Sequence, residues 1–180
     1  MKTTLVRGVA MGAALVLSAH IAQAQTGASL GFGGGAAMPT GSFGDAATTG
    51  WSSQLVARVK PGASPVGLQV DGFYNRFGLE GGIDGNTRLM GGTANAVFAF
   101  PGASRARPYL IGGLGLYNGK TSILGTSASQ TDFGANAGAG FDVAVGKRAA
   151  VFAEGRFHAI FMDETAYMVP VSVGLRWSLQ

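Results

Sequence analysis

The stretch Val169-Pro-Val-Ser-Val-Gly-Leu-Arg-Trp-Ser-Leu179, close to the C-terminal end of this 180-residue chain, alternates strictly between two kinds of residue. Apolar residues occupy every odd position, whereas proline, serine, glycine and arginine occupy the even ones. Because successive side chains of a β-strand point to opposite faces, this two-residue period predicts a strand with one apolar and one polar face.

Seven further segments of strand character precede this one, with clusters of Pro, Gly, Ser, Asn and Asp between them. The eight predicted strands cover residues 28–37, 51–60, 66–77, 88–100, 108–118, 130–145, 150–160 and 168–179. Each is close to the ~9–11 residues that a tilted strand needs to cross a bilayer. The sequence therefore predicts an all-β protein, an eight-stranded antiparallel up-and-down transmembrane β-barrel.

The connections between the predicted strands alternate in length. Residues 61–65, 101–106 and 146–149 form short turns, and residues 38–50, 78–87, 119–129 and 161–167 form longer loops. Outer-membrane barrels have short periplasmic turns and longer external loops, so we expect the four loops to face outwards.

Charged residues follow the same division. Basic residues mark the short-turn end: Lys60, Arg105, Arg107, Lys147 and Arg148. Acidic residues mark the long loops: Asp45, Glu80, Asp84, Asp163 and Glu164. This predicts a basic periplasmic rim and a mildly acidic outer rim, with chance variation among polar turn residues as the alternative explanation.

The N-terminus has the order of a secretory signal peptide. Lys2 and Arg7 form a short basic region, an apolar run follows over residues 9–17, and Ala22-Gln-Ala24 provides small residues for cleavage. We predict a signal peptide at 1–24 and one outer-membrane β-barrel domain at 25–180. Cleavage removes two of the 13 basic residues and none of the nine acidic ones, which leaves eleven against nine and a net charge of +2.

The composition supports a membrane barrel and excludes other classes. Charged residues make up only 12% of the chain, where about a quarter is usual in soluble domains. The 31 glycines show no three-residue period, which excludes collagen. Cysteine is absent, so a closed strand ladder rather than disulfides must hold the domain. The sequence has no stripe of basic residues of the kind that binds nucleic acid.

The polar faces of the strands predict a charged barrel interior. Alternation orients the third, sixth, seventh and eighth strands, but it does not orient the first and fifth. The predicted structural network in the lumen comprises Arg58, Asp71, Asp142, Glu154, Arg156, His158 and Arg176. Charges in a narrow interior must be paired. Inward glycines are expected to leave room for these longer side chains.

Aromatic residues collect near the ends of the predicted strands, as interfacial belts of barrels do. The predicted belt contains Trp51, Tyr74, Phe77, Phe100, Tyr109, Tyr117, Phe133, Phe161 and Trp177.

Catalysis has weak support in the sequence. His158 and Glu154 could serve as a base and its orienting acid, but four residues along one strand separate them by about 13 Å. No serine adjoins His158. A lone histidine with scattered acids predicts no metal site, and Gly31-Phe-Gly-Gly-Gly35 lacks the context of a phosphate loop. We predict no enzyme activity and no cofactor.

Three short motifs resemble those of the outer-membrane β-barrel domain family, the OmpA/OmpX-like small barrels. Gly174, Trp177 and Leu179 resemble the C-terminal signal that the barrel assembly machinery recognises. Arg107-Pro-Tyr-Leu-Ile-Gly-Gly-Leu-Gly-Leu-Tyr117 is similar to a mid-barrel strand, and Ala37-Met-Pro-Thr-Gly-Ser-Phe43 to the first loop. The resemblance implies an outer-membrane location, a monomer, and no catalytic residues.

The leading hypothesis is an integral outer-membrane barrel with a structural or surface-recognition role, in contact with outer-membrane lipids and with the barrel assembly machinery during biogenesis. It should not be a general porin, because a barrel of this size has a filled lumen. One alternative is a secreted or periplasmic soluble β-barrel that binds a small apolar ligand. A second alternative is a lipid-modifying outer-membrane enzyme.

Overall fold

A computed structural model describes residues 26–82, 85–101, 105–123 and 126–179. Within these ranges, eight antiparallel strands close into one barrel, in which each strand pairs with the next and β1 pairs with β8. The strands are β1 (Thr26–Thr40), β2 (Gly50–Pro61), β3 (Val66–Gly78), β4 (Gly85–Ala99), β5 (Ala106–Ile123), β6 (Thr126–Ala144), β7 (Ala149–Phe161) and β8 (Ala166–Ser178). The predicted fold is confirmed, while the predicted signal peptide at 1–24 lies outside the described residues.

Two short helical segments occupy the loops. The helix α1 (Ser42–Ala46) follows β1, and a single 3-10 turn (Glu80–Gly82) follows β3. Across the described parts of the chain, no helix combines the length and the apolar character that a membrane span requires.

The outer surface of the barrel is apolar. Leu55 and Phe133 are each 70% exposed and Leu114 is 67% exposed. On the opposite face of the same wall, polar residues such as Asp71 and Glu154 are buried. The predicted faces of β3, β6 and β7 are therefore confirmed. A soluble ligand-binding barrel would have the inverse arrangement, with apolar residues inside and charges in water.

Strands β1 and β5, which alternation did not orient, owe their ambiguity to apolar residues on both faces. In β5, Tyr109, Ile111 and Tyr117 are buried in the interior, while Leu110 and Leu114 are exposed on the outside. In β1, Gly31 and Gly33 face inwards and Phe32 faces outwards. Hydrophobicity alone cannot distinguish the inward face of a strand from the outward face when both are apolar.

The predicted loop at 119–129 is wrong, because its described residues, 119–123 and 126–129, extend strands β5 and β6 into a long hairpin. The register continues through Lys120↔Ser129 to Ile123↔Thr126, whereas β6 pairs with β7 only from Phe133 onwards. Residues 126–132 thus project beyond the end of β7, whereas β4 remains paired with β5 as far as Gly85↔Ile123. Both faces of this projection are polar, so it lacks the apolar alternation by which the other strands were recognised.

Exposed aromatic pairs lie on the outer surface near both ends of the barrel. The ring centroids of Trp51 and Tyr74 are 5.2 Å apart, and those of Phe98 and Phe100 are 5.4 Å apart. The predicted belt is wrong for three of its members, which are buried instead: Phe77, Tyr109 and Tyr117. They have the inward parity of their strands, and position near a strand end does not reveal on which face a residue lies.

Inward glycines accommodate the large rings of facing strands. A Cβ atom on Gly33 would lie 2.7 Å from Cζ of Phe152, and one on Gly174 would lie 2.5 Å from Cε1 of the same ring. A Cβ on Gly140 would lie 2.6 Å from the hydroxyl of Tyr109. A side chain at any of these positions would force the facing ring to shift, so the packing of the narrow barrel favours glycine there.

Candidate functional site

An ion-paired cluster at the centre of the lumen connects opposite walls of the barrel. Arg156 Nη1 lies 2.8 Å from Asp71 Oδ2, and Arg156 Nη2 lies 2.6 Å from Glu154 Oε1. Asp71 belongs to β3 and Arg156 to β7, which are four strands apart in either direction around the eight-stranded ring. The pair therefore crosses the full width of the lumen.

Asp71 accepts hydrogen bonds from its own wall as well. Gln69 Nε2 donates to Oδ1 at 2.8 Å, and Thr93 Oγ1 and Asn95 Nδ2 donate to Oδ2 at 3.1 and 2.7 Å. With Arg156, four side chains donate to this buried carboxylate. Such saturation is what a charge in a low-dielectric interior requires.

A second cluster lies closer to the short-turn end. Asp142 of β6 forms ion pairs with Arg58 of β2, at 3.0 Å, and with Arg176 of β8. Strands β2 and β6 are again on opposite walls. Arg58 Nε also donates to Gln69 Oε1 at 2.7 Å, and because Gln69 bonds Asp71, the two clusters form one connected network.

Tyr109 is a further connection between the clusters. Its hydroxyl donates to Glu154 Oε2 at 2.9 Å, and the Arg58 guanidinium carbon lies 4.3 Å from the centre of its ring. The tyrosine thus satisfies the free oxygen of one cluster and contacts a cation of the other.

His158 is separate from the ion pairs. Its Nδ1 is 2.8 Å from the Tyr117 hydroxyl, and its ring lies edge-on to Phe73 with centroids 6.1 Å apart. Glu154, its hypothetical orienting acid, bonds Arg156 and Tyr109 instead. In the described part of the chain, no hydrogen bond joins His158 to a serine or a carboxylate, so the geometry of a nucleophilic triad is not assembled.

The structure places all seven residues of the predicted network inside the barrel and brings six of them into the two clusters. The predicted network omits the neutral side chains that form hydrogen bonds with its members: Gln69, Thr93, Asn95, Tyr109 and Tyr117. Gln69 lies on β3 with the same inward parity as Asp71, and Thr93 and Asn95 of β4 are the register partners of Asp71 and Gln69. Parity along the strand is thus the sequence signal that could identify these residues.

Beyond the central cluster, the lumen widens into a cavity of about 660 Å³ at the long-loop end, which we call the outer cup. Its wall is largely apolar and includes Phe43 of α1, Leu89, Tyr117 and Ile160. Three acidic residues also line it: Asp45, Glu80 and Asp132. Phe43 packs edge-on against Phe77 at 5.1 Å, which holds α1 against the mouth of the cup.

The cup has a closed floor. Beneath it, a cavity of only about 20 Å³ remains among residues that include Asp71, Arg156, His158 and Ser172. That volume suffices for about one water molecule. Among the described residues, no group of three or more histidine, aspartate or glutamate side chains could hold a metal ion.

The residues of the predicted assembly signal lie on different faces of β8. Gly174 lies against the ring of Phe152 inside the barrel. Trp177 is exposed outside, with its ring 5.7 Å from that of Phe32, and Leu179 is exposed beyond the strand. Their recognition by the assembly machinery stays a prediction.

Comparisons with known proteins agree with this architecture. The crystal structure of Neisserial surface protein A (NspA) matches with a TM-score of 0.71 and 22% identity, covering 84% of this chain and 97% of that one. Ail of Yersinia pestis matches with a TM-score of 0.52 and 19% identity, covering 86% and 99%. OprG of Pseudomonas aeruginosa matches with a TM-score of 0.56 and 13% identity, covering 87% and 97%.

At these identities the solved structures support the fold alone, and a search of curated proteins found no match. The family model described as "Outer membrane protein beta-barrel domain" matches residues 9–176, nearly the whole chain. The apolar outer wall, the closed ring of eight strands and this match agree: the chain belongs to the outer membrane protein β-barrel domain family and is a protein of the outer membrane.

Proposed function

We propose that this protein is a non-catalytic surface-recognition barrel, which binds its ligand in the outer cup and uses the ion-paired lumen as a rigid floor. One observation carries the proposal: the network of Asp71, Glu154 and Arg156, with the bonded pair of His158 and Tyr117 above it, closes the lumen beneath an open apolar cavity. A cavity with a closed floor can retain a ligand but cannot conduct one through the membrane.

The position of the cup supports recognition outside the cell. Barrels of this class have their longer loops outside and their short turns in the periplasm. The cup lies among α1, the 3-10 turn and the projecting β5–β6 hairpin, all at the long-loop end. Its volume of about 660 Å³ is within the range of ~300–1,000 Å³ that small-molecule sites occupy.

The lining favours one class of ligand. Leu89, Ile160 and the ring of Phe43 offer apolar contact, and the carboxylates of Asp45 and Glu80 add negative charge. An amphiphile with a short apolar tail and a cationic head matches both features. Ail has been solved with the polyanionic heparin analogue sucrose octasulfate, a ligand that the acidic lining here does not suit.

The test uses two probes with the same tail and opposite charge, hexyltrimethylammonium and hexyl sulfate, titrated onto methyl-labelled protein in nanodiscs and followed by NMR. We expect saturable shifts at Leu89 and Ile160 with the cationic probe and weaker ones with the anionic probe. Equal binding of the two would contradict the role of the acids. No saturable binding of either would contradict the proposed site.

A matched pair of variants locates the binding. Ala128 lines the cup on the projecting hairpin, whereas its neighbour Ser127 on the same strand does not line it. Ala128→Trp should fill the cup and abolish binding, and Ser127→Trp should leave it unchanged. Planar-bilayer recordings of the wild type should show no steady pore current. A large stepwise conductance would overturn the closed floor.

A further inference from the structure

The opposite end of the lumen opens into a cavity of about 590 Å³ at the short-turn end, which we call the inner mouth. Charged residues from four strands line it: Arg58, Lys60, Arg107, Arg176 and Asp142. Four cations therefore face one carboxylate. A clustered positive charge between low-dielectric walls concentrates anions from solution.

The surroundings of the inner mouth add to this positive charge. A neighbouring cavity of about 210 Å³ shares Arg107, Asp142 and Arg176 with it and is also lined by Lys147 and Arg148. Asp142 is the only acidic residue among the described residues that line either cavity. The carboxylates of the long loops lie at the other end of the barrel and cannot neutralise this one.

The two buried guanidinium groups of the inner mouth have spare donors. Asp142 is shared between Arg58 and Arg176, so one negative charge serves two positive ones. Arg58 Nη2, Arg176 Nε and Arg176 Nη2 are buried without an acceptor within the described ranges. The Arg176 side chain is only 6% exposed, so solvent does little to compensate its unpaired donors.

We propose that the inner mouth is a binding site for a phosphate group presented from the periplasm. The excess of three positive charges exceeds what a single carboxylate can balance. Phosphate carries about −1.5 to −2 charges near neutral pH and offers oxygens in several directions. One guanidinium group can bind two such oxygens at once. Asp142, which is 21% exposed, contacts both Arg58 and Arg176, so an anion next to it can reach both arginines.

Two sources could supply this chemistry: a soluble phosphate in the periplasm, or the headgroup of an anionic phospholipid at the rim of the barrel. Both would contact Lys60 and Arg107, which are exposed at the opening. The experiment therefore has one arm for each source and the same variants in both.

In the first arm, inorganic phosphate is titrated calorimetrically onto the full barrel in an alkyl maltoside detergent at constant ionic strength. In the second, native mass spectrometry counts phosphatidylglycerol and phosphatidylcholine molecules retained by the barrel. We expect saturable phosphate binding if the source is soluble, and selective retention of phosphatidylglycerol if it is lipid. Absence of both would overturn the proposal.

Exposed rim variants test the location without disturbing the interior. Lys60→Gln and Arg107→Gln should each weaken binding about two- to fivefold, the effect of removing one solvent-exposed charge. Lys120→Gln removes the same charge from the exposed hairpin at the other end and should change nothing. Equal weakening by all three variants would show a general charge effect and overturn the assignment.

Asp142→Asn separates a binding site from a merely structural cluster. Because the carboxylate competes with the incoming anion for Arg58 and Arg176, its neutralisation should tighten phosphate binding and make phosphate raise the melting temperature more than in the wild type. A folded Asp142→Asn variant with weaker binding would contradict the proposal. Heat-modifiable gel migration shows whether Asp142→Asn folds. If it does not fold, phosphate binding by Lys60→Gln and Arg107→Gln tests the proposal instead.

Discussion

Arg156 Nη1 and Asp71 Oδ2 are 2.8 Å apart, although 85 positions separate the two residues in sequence and they stand on opposite walls of the barrel. The contact braces the ring across its diameter, in addition to the strand-to-strand hydrogen bonds that run around it. Both side chains are almost completely buried, so the strength of the brace depends on each charge keeping its partner.

Truncation of Asp71 should destabilise the barrel strongly. Asp71→Ala leaves Arg156 without its cross-lumen acceptor, and it also removes the carboxylate to which Thr93 Oγ1 and Asn95 Nδ2 donate hydrogen bonds. Breaking a buried pair in this way costs about 3–5 kcal/mol. Urea unfolding in phospholipid vesicles measures the loss.

The matched control for Asp71→Ala is Asp132→Ala, which removes a carboxylate whose described side-chain bond is one exposed contact with Gln130. It should change the free energy of unfolding by no more than about 0.5 kcal/mol. Equal losses in the two variants would mean that the cross-lumen pair contributes nothing specific.

Tyr109→Phe should isolate the contribution of one hydrogen bond. The variant keeps the ring beneath Arg58 but leaves Glu154 Oε2 without its donor. A bond to a charged group contributes about 1.5–3 kcal/mol, which equilibrium unfolding resolves. Tyr167→Phe, at an exposed ring on β8, is the control and should be neutral. A neutral Tyr109→Phe would indicate that water replaces the hydroxyl.

Gly33→Ala should be destabilising for steric reasons. The new Cβ would lie 2.7 Å from Phe152 Cζ, and overpacking of this kind costs about 1–3 kcal/mol. Gly72→Ala is the control, since a Cβ there meets nothing within 4 Å on the lipid-facing side of β3. The double variant Gly33→Ala/Phe152→Leu should recover part of the loss. If Gly33→Ala lowers the free energy of unfolding equally in the Phe152 and the Phe152→Leu backgrounds, a clash with the Phe152 ring is not the cause.

Val173→Arg tests the outward face of β8. Val173 is 56% exposed on the apolar outer wall, where an arginine near the bilayer centre should cost about 2–4 kcal/mol. Ser129→Arg introduces the same side chain on the exposed hairpin and should have little effect. Unchanged folding of Val173→Arg in vesicles, with a normal stability in detergent, would show that this face does not contact lipid.

The sequence predicts the barrel wherever one face of a strand is polar. Asp71 on β3, Asn136 on β6 and Glu154 on β7 reveal their inward faces by simple alternation, and the structure agrees. The same signal fails for β1 and β5, which are apolar or glycine-rich on both faces. It also fails for the β5–β6 hairpin, where polar residues cover both faces beyond the membrane.

The partners inside the lumen are less accessible to sequence reasoning. Membership in the interior follows from parity, but the pairing of Arg156 with Asp71 on the opposite wall, in addition to the nearby Glu154, depends on strand tilt and on ring closure. The outer cup is similarly hidden, because α1 and several separate strands each contribute a small part of its wall.

The separation of 84 and 85 residues between the members of the two diametric ion pairs has a consequence for biogenesis. Contacts so remote along the chain form late, because a very large loop must close first. Asp71 of β3 therefore precedes its cation on β7 by four strands, and this ion pair can form only once β7 has joined the barrel. Closure of the lumen thus depends on the penultimate strand, whose Glu154, Arg156 and His158 line its filled centre, and a barrel halted before that strand joins should have an interior that is accessible to water-soluble reagents.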